Sequence, residues 1–170
     1  MKTFNYCPYC GSSNIVFDGI KEFTCGDCSF TYFQNVATAA GTILECEGKI
    51  VLIRRKEEPG KGLLDLPGGF ADPGESAEEA ARREIREELK IDVDTLQYLG
   101  SHPNTYEFKD VRYHSCDLLF YSQIDTFPTE FDETEVEELV FMNPMEIRED
   151  EIAFESIKAG LRLFMDLRPC

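Results

Sequence analysis

The spacing of hydrophobic residues separates strand-like from helix-like stretches along the chain. Val36–Cys46 and Lys49–Arg55 are rich in β-prone residues and are joined at Glu47-Gly48, which predicts a β-hairpin. Further strands are predicted at Leu63–Leu66, Leu96–Ser101, Tyr113–Ile124 and Glu138–Met142. Pro67–Gly69 is expected to break the strand before it, because proline and glycine interrupt regular structure.

Two stretches carry the helical period instead. Ser76 is a good N-cap and Glu79 follows three residues later, which completes a capping box and predicts a helix at Ala77–Leu89. The buried side of this helix is expected to consist of Ala80, Ala81, Ile85 and Leu89. A second, amphipathic helix is predicted at Glu151–Leu167. Its expected core positions are Ile152, Ile157, Leu161, Phe164 and Met165.

Composition limits the classes of function. A chain of 170 residues with 42% hydrophobic residues fits one medium domain, or one domain with a small appendage. The net charge of −16 argues against sequence-independent binding of nucleic acid, which needs Lys and Arg facing phosphates. The sequence has no apolar run that could span a membrane and no secretory signal, so we expect a cytoplasmic protein with no membrane partner.

Four of the seven cysteines form two CxxC pairs. Cys7 and Cys10 make the first pair, and Cys25 and Cys28 make the second. Two such pairs complete a tetrahedral site of four thiolates for Zn²⁺ with no position left for water, which predicts a structural zinc. Residues 1–33 have few aliphatic side chains and are therefore expected to form a small zinc ribbon that depends on this metal.

Three glutamates fall on one face of the first predicted helix. Glu84, Glu87 and Glu88 are related by helical spacings that bring side chains together. Their like charges repel unless a cation neutralises them, and carboxylate oxygens suit Mg²⁺, which usually binds together with the phosphates of a substrate. An exposed, solvated helix face is the alternative interpretation.

The surroundings of these glutamates decide between the two interpretations. Five residues separate Gly69 from Glu75, and seven more lead to the run Arg83–Ile91. This resembles the Nudix box, G-x5-E-x7-R-E-U-x-E-E-x-G-U, where U is aliphatic. Every defined position matches except one, because Lys90 stands where the pattern has the glycine that ends the helix in a left-handed turn.

The resemblance implies a fold and a reaction. The implied fold is an α/β/α sandwich with a mixed sheet over residues 34–170, preceded by the ribbon. The implied reaction is hydrolysis of the diphosphate bond of a nucleoside diphosphate derivative, by attack of water on phosphorus with Mg²⁺ or Mn²⁺. By position, the implied metal ligands are Gly69, Glu84, Glu87 and Glu88, with Glu88 the first choice for an essential ligand. Arg83 and Glu75 would brace these acids.

The general base stays open at this point. In the family that the box resembles, it is either a box glutamate, here Glu84, or an acid from a later loop. Glu133, Glu135 and Glu137 lie in an acidic segment and are candidates for the second role. Taken one at a time, each of them is better explained as part of a solvated loop.

The substrate is only partly indicated. The ribbon resembles that of NADH pyrophosphatases, yet their SQPWPFP-type array is incomplete at Ser101–Phe108 and the chain has no tryptophan. NADH, NAD and ADP-ribose therefore stand together as candidates. Arg54 or Arg55 could grip a phosphate through its planar guanidinium, and Tyr106 could stack on a base.

A binding module is the competing class of function. In that case the ribbon would contact another macromolecule, and the second domain would only sense a nucleotide. The intact box glutamates argue against this, and few basic residues in the ribbon argue against nucleic acid. A protein partner and a homodimer both remain open, because the sequence shows no interface.

Overall fold

The computed structural model describes residues 4–108 and 111–167, with the side chains of residues 106–108 outside the described part. The chain divides into two compact units, the first ending at Val36 and the second beginning at Ala37. Neither helix in the described residues is long and apolar enough to cross a membrane.

The first unit is a three-stranded antiparallel sheet. Its strands are β1 (Ile15–Phe17), β2 (Glu22–Cys25) and β3 (Thr31–Phe33), in the order β1-β2-β3. Phe23 is its buried centre and stacks on Phe17 with ring centroids 4.3 Å apart. Such a small core has little apolar area to bury, so other contributions to its stability are needed.

The second unit is built on a seven-stranded mixed sheet. Its strands are β4 (Ala37–Cys46), β5 (Lys49–Arg55), β6 (Leu64–Asp65), β7 (Gly68–Phe70), β8 (Gln97–Phe108), β9 (Val111–Gln123) and β10 (Val136–Met142). Five strands follow the order β10-β5-β4-β9-β8, while β6 pairs with β5 and β7 pairs with β4. The β4–β9 pair is parallel and the others are antiparallel.

One helix packs on each face of this sheet, because alternate residues of a strand point to opposite sides. The core on the side of helix α1 (Ala77–Leu89) contains Leu44, Val51, Ile53, Ile85 and Leu89. The core on the side of helix α2 (Glu155–Leu167) contains Ile43, Ile50, Leu52, Leu161 and Phe164. The expected α/β/α sandwich with a mixed sheet is therefore confirmed.

Most elements match the sequence pattern, although strands β8 and β10 extend beyond their predicted bounds. The β4–β5 hairpin and helix Ala77–Leu89 are confirmed. The strand predicted at Leu96–Ser101 covers only the first part of β8, which continues to Phe108, whereas the strand predicted at Tyr113–Ile124 covers nearly all of β9, its antiparallel partner. The strand predicted at Glu138–Met142 begins earlier, at Val136.

One strand was not expected and one helix boundary is wrong, and both differences lie where the chain contacts a distant strand. Strand β6 ends at Asp65, before Pro67, as expected, but Gly68–Phe70 then forms a further strand, β7, against β4. The second helix begins at Glu155 rather than Glu151. The segment before it is held by the sheet instead, since the backbone N–H of Ala153 donates to the carbonyl oxygen of Leu64 at 2.9 Å.

Candidate active site

Helix α1 is fixed at both ends by local contacts. The Ser76 side chain accepts from the backbone N–H of Glu79, and the Glu79 side chain accepts from the backbone N–H of Ser76, so the predicted capping box is present. At the other end Lys90 takes a left-handed conformation with φ of 57°, and its N–H donates to the carbonyl oxygen of Arg86. The helix thus ends where the box pattern requires, although the glycine is absent.

The two glycines before the helix allow the chain to approach its neighbours closely. Gly68 has φ of +152°, and a Cβ there would collide with the backbone of Ala40 and Gly41 on β4. A Cβ on Gly69 would collide with the carboxylate of Glu84. Both positions therefore need glycine, one to pair β7 with β4 and the other to admit an acid beside the turn.

Glu88 is the most buried acid of the box. Its side chain lies against the turn, and one carboxylate oxygen accepts from the backbone N–H of Gly68 at 2.9 Å. Burial raises the pKa of Glu88 well above its usual value, and the nearby charges of Glu84, Asp65 and Glu135 raise it further. A carboxylate in this position is strongly favoured to pair with a cation.

Glu84 is half-buried beside Glu88, and Glu87 is exposed. Burial raises the pKa of Glu84, although the Arg83 guanidinium opposes this effect. The Arg83 Nη1 atom donates to Glu84 at 2.8 Å and to Glu87 at 3.0 Å, so it lies between the two carboxylates. Within the described residues, the carboxylates of Glu84, Glu87 and Glu88 do not converge on one point as ligands of a metal ion would. The Glu87 carboxylate instead forms an ion pair with Arg83.

Arg83 is held by an acid from outside the helix. Its Nε and Nη2 atoms donate to the two carboxylate oxygens of Glu75 at 2.8 and 3.0 Å. Nη2 also donates to the carbonyl oxygen of Phe70 at 2.9 Å. This two-pronged pairing lowers the pKa of Glu75 and fixes the guanidinium in one plane.

The acidic segment after β9 reaches the same helix. The backbone N–H of Asp132 donates to the carbonyl oxygen of Glu88 at 2.8 Å, and Lys56 binds the carbonyl oxygen of Glu133. Glu135 is close enough to raise the pKa values of Glu84 and Glu88 electrostatically, whereas Glu137 is not among the main charges that perturb either acid.

A family model for the NUDIX domain matches residues 34–162. This match covers most of the chain and includes the whole of the box helix. The chain belongs to the NUDIX family.

Individual relatives match a little more than half of the chain. The NAD-capped RNA hydrolase NudC of Vibrio atlanticus is 28% identical over 102 residues, which are 60% of this chain and 38% of that protein. The ADP-ribose pyrophosphatase of Methanocaldococcus jannaschii is 37% identical over 91 residues, which are 54% of this chain and 53% of that protein. In both cases the match spans less than two thirds of the relative.

A solved structure supports the fold over nearly the whole length. The NUDIX hydrolase from Nitrosomonas europaea has a TM-score of 0.67 and 24% identity, and it covers 97% of this chain and 92% of its own. At this identity the likeness concerns the fold alone.

A cavity of about 300 Å³ adjoins the NUDIX box on the side of Gly68 and Gly69. Arg55 lines it, donating to Asp65 at 2.8 Å and to the carbonyl oxygen of Pro59 at 2.7 Å. Arg54 does not line the cavity, and it donates to Glu138 at 2.6 Å. The Tyr106 side chain lies outside the described residues, so its suggested stacking role stays a prediction.

Sequence reasoning missed the polar wall of this cavity. Asp65 and Asp117 are each 6% exposed, and Asp117 is bound by the hydroxyl groups of Ser115 and Ser156. Burial raises the pKa of Asp65 to about 6, against the opposing effect of Arg55. These residues come from β6, β9 and α2, so no local motif joins them; the one available signal was an acid inside the apolar run that follows Ser115.

The four cysteines of the CxxC pairs lie together in the first unit. Their Sγ atoms are within 4.8 Å of one another, with 3.8 Å between Cys7 and Cys28 and 3.7 Å between Cys10 and Cys25. Tetrahedral sulfurs at a Zn–S distance of ~2.3 Å would be separated by ~3.8 Å. Backbone N–H groups of Asp27 and Cys28 lower the pKa of Cys25 to about 7. The cluster therefore fits a zinc ribbon.

Proposed function

We propose that this protein is a divalent-metal-dependent hydrolase that cleaves the diphosphate bond of a nucleoside diphosphate derivative. The observation that carries this proposal is the burial of Glu88 next to Glu84, where Glu88 accepts from Gly68, a residue that lines a cavity large enough for part of a substrate. A divalent cation between the two acids would offset the cost of holding a buried charge beside a second negative charge.

The donor set fits Mg²⁺ or Mn²⁺. Mg²⁺ is usually held by one or two carboxylates and by substrate phosphates, rather than by a complete protein cage. Glu88 and Glu84 would supply these carboxylates, with the Gly69 carbonyl and Glu87 as further oxygens. When bound, the metal would neutralise phosphate charge and activate water. Glu87 would have to leave Arg83 to join them, because it now forms an ion pair there.

Arg83 and Glu75 would act by positioning. The Arg83 guanidinium contacts Glu84 and Glu87, and Glu75 fixes the guanidinium through two hydrogen bonds. These hydrogen bonds would keep the Glu84 and Glu87 carboxylates in fixed positions even though their negative charges repel each other.

The attacking water needs a group that accepts its proton. Of the acids suggested for this role by the sequence, Glu84 and Glu135 are electrostatic neighbours of Glu88. Glu137 is less suited, since the described contacts do not bring it near the box acids.

The relatives support a dinucleotide-like substrate. One is an ADP-ribose pyrophosphatase and another is an NAD-capped RNA hydrolase, so we propose ADP-ribose and NAD(H) as the first substrates to test. Their hydrolysis would give two phosphate monoesters. An NAD-capped RNA is a second candidate, but the charge of −16 opposes a long polyanion.

The N-terminal unit would be a structural zinc ribbon. We propose residues 1–33 as the ribbon and residues 34–170 as the catalytic domain. All four zinc ligands would be cysteines, which leaves no position for a reacting water.

A panel of nucleotides tests this proposal. ADP-ribose, NAD, NADH, a nucleoside triphosphate and an NAD-capped oligonucleotide are incubated with Mg²⁺ or Mn²⁺, and new phosphate monoesters are measured. Glu88→Gln should reduce turnover by about 10³-fold or more, whereas Glu78→Gln on the exposed side of the same helix should not. Absence of product from every nucleotide would favour the alternative, a nucleotide-sensing or protein-binding module.

A further inference from the structure

The cavity beside the box has an inner wall built from hydrogen-bond acceptors. One oxygen of Asp117 accepts from Ser115 at 2.6 Å, and the other accepts from Ser156 at 2.5 Å. On the facing side, Asp65 accepts from Arg55 at 2.8 Å and from the backbone N–H of Leu66 at 2.9 Å. Each carboxylate oxygen has two lone pairs, so each retains capacity for one more donor.

The net negative charge of the cavity lining excludes the phosphate groups of a substrate. Arg55 is the positive residue among its described lining, and Glu58, Asp65 and Asp117 are negative, which leaves an excess of two negative charges. The Arg55 guanidinium is also occupied by Asp65, by the carbonyl oxygen of Pro59 and by the Phe154 ring at 4.9 Å. A phosphate would be repelled here, so the phosphates belong at the box and an uncharged group belongs in the cavity.

The remaining walls suit a flat, partly apolar group. Gly41 has no side chain, and Phe154 and Ile157 contribute apolar surface from the segment that begins α2. Small-molecule sites commonly combine such walls with a few fixed polar groups that set orientation. A nucleobase has this shape, with N–H donors or carbonyl acceptors at its edge.

We infer that Asp117, held by Ser115 and Ser156 and faced by Asp65, selects substrates whose nucleobase presents an exocyclic amino group. This inference rests on the proposed function and adds the class of base to it. Adenine and cytosine carry an amino group where hypoxanthine and uracil carry a carbonyl oxygen. The amino group would donate to the carboxylate, whereas the carbonyl would bring two acceptors together without a proton between them.

The two serines decide how Asp117 is oriented. Ser156 is fully buried and Ser115 is 3% exposed, so neither hydroxyl competes with bulk water for the carboxylate. Both hydroxyl groups must donate to Asp117, which leaves this residue as an acceptor toward the cavity. Ser156 is therefore a positioning residue, and its loss should affect selectivity more than turnover number.

Two pairs of substrates test the inference, because within each pair the amino group is replaced by a carbonyl oxygen and the adjacent ring nitrogen gains a proton. ADP-ribose is compared with IDP-ribose, and CDP-glucose with UDP-glucose, by kcat/KM with Mg²⁺ present. In each pair that is hydrolysed, we expect kcat/KM of the amino-bearing member to be higher by about 10- to 100-fold. This is the cost of leaving one buried polar group without a hydrogen bond when the other member binds.

Asp117→Asn supplies the decisive variant. An asparagine amide can donate to a carbonyl, so the preference should shrink at least 10-fold or reverse, mainly through KM. Ser156→Ala should reduce the preference less, and the exposed control Asp125→Asn should leave it unchanged. Folding of each variant is checked by thermal melting.

The outcomes separate the two proposals. Hydrolysis of both members of a pair at equal kcat/KM would overturn the inference while supporting the proposed function. An unchanged preference in folded Asp117→Asn would also overturn it, because another group would then be reading the base. If no member of either pair were hydrolysed or bound, the proposed function and this inference would both be overturned.

Discussion

The backbone N–H of Gly68 donates a hydrogen bond of 2.9 Å to the carboxylate of Glu88. This bond joins the first residue of strand β7 to the last turn of α1, so the most buried acid of the box is held by the sheet as well as by its own helix. It is one neutral donor beside a buried charge, and it does not offset the cost of desolvation, since the pKa of Glu88 remains well above its usual value.

Removing the charge of Glu88 should stabilise the metal-free protein in a pH-dependent way. The pKa of Glu88 is raised in the folded protein, so the stability that protonation of Glu88 contributes is fully present below the unfolded pKa of about 4.3. That contribution is lost as the pH rises through the folded pKa. The melting temperature of Glu88→Gln minus that of wild type should therefore be near zero at pH 4.5. At pH 8 we expect the variant to melt about 2–4 °C or more above wild type.

Thermal melts in Mg²⁺-free buffer between these pH values measure the effect, with zinc left in place. Glu78→Gln is the matched control, because this glutamate is exposed on the first turn of α1. A difference that stays constant with pH would contradict the account of Glu88. Added Mg²⁺ should raise the melting temperature of wild type more than that of Glu88→Gln.

Glu75→Gln should reduce activity while leaving the fold intact. The substitution removes the charge that Arg83 grips with two hydrogen bonds, so the guanidinium and the acids beside it lose their fixed orientation. We expect a loss of about 10- to 100-fold in kcat/KM, as for other partners of metal ligands. Arg83→Lys should have a similar effect, since an ammonium cannot make the planar pairing. Full activity in both variants would refute the positioning role.

Gly69→Ala should be destabilising by about 1–3 kcal/mol, because the new Cβ would occupy the space of the Glu84 carboxylate. A double-mutant cycle with Glu84→Ala isolates this cause. Once the Glu84 side chain is shortened, the added methyl group should cost much less, and the coupling should be at least about 1 kcal/mol. Additive effects in denaturant melts would mean that the clash is relieved elsewhere.

Lys90→Gly should be neutral or stabilising by up to about 1 kcal/mol, because glycine adopts the left-handed conformation at φ of 57° without strain. The gain is limited by two side-chain contacts, a 2.6 Å hydrogen bond to the carbonyl oxygen of Glu87 and an ion pair of 3.8 Å with Asp132. Lys90→Ala keeps the strain and loses the contacts, so it should be less stable than Lys90→Gly. The reverse order would show that the left-handed backbone conformation is not strained at this position.

Zinc analysis tests the ribbon. We expect about one zinc per purified chain, released when the thiols are blocked with a mercurial and measured with a colorimetric chelator. Cys10→Ser should lower this content severalfold, whereas Cys116→Ser should not change it, because Cys116 lies in β9 outside the cluster. Equal zinc content in the two variants would exclude the four-cysteine site.

The parts of the fold that local chemistry determines could be predicted closely. Ser76 and Glu79 cap α1 within one turn, so Ala77–Leu89 was predicted with the bounds that the structure has. Strand β8 was predicted too short, since its second half is defined by pairing with β9 rather than by a hydrophobic pattern. Strand β7 was missed because Gly68 was interpreted as a break, while its real role is close contact with β4.

In the candidate site, too, the residues that are close in sequence could be predicted and those brought together by the fold could not. Helical spacing places Glu84, Glu87 and Glu88 on one face, and the resemblance to the Nudix box implied the roles of Arg83 and Glu75, which stand in the same stretch of sequence. Asp65, Asp117 and Ser156 are brought together only by the sheet and α2, so their association was not predictable from the sequence.

Strand β7 also has a consequence for how substrate preference could change over evolution. Because β7 attaches the box to the centre of the sheet, the reactive acids keep their positions whatever stands on the far wall of the cavity. The wall residue Asp117 belongs to β9, a neighbour of β4 but not of β7. If the proposed function holds, substitutions on β9 would alter which nucleotide is accepted while the acids of the box are inherited unchanged.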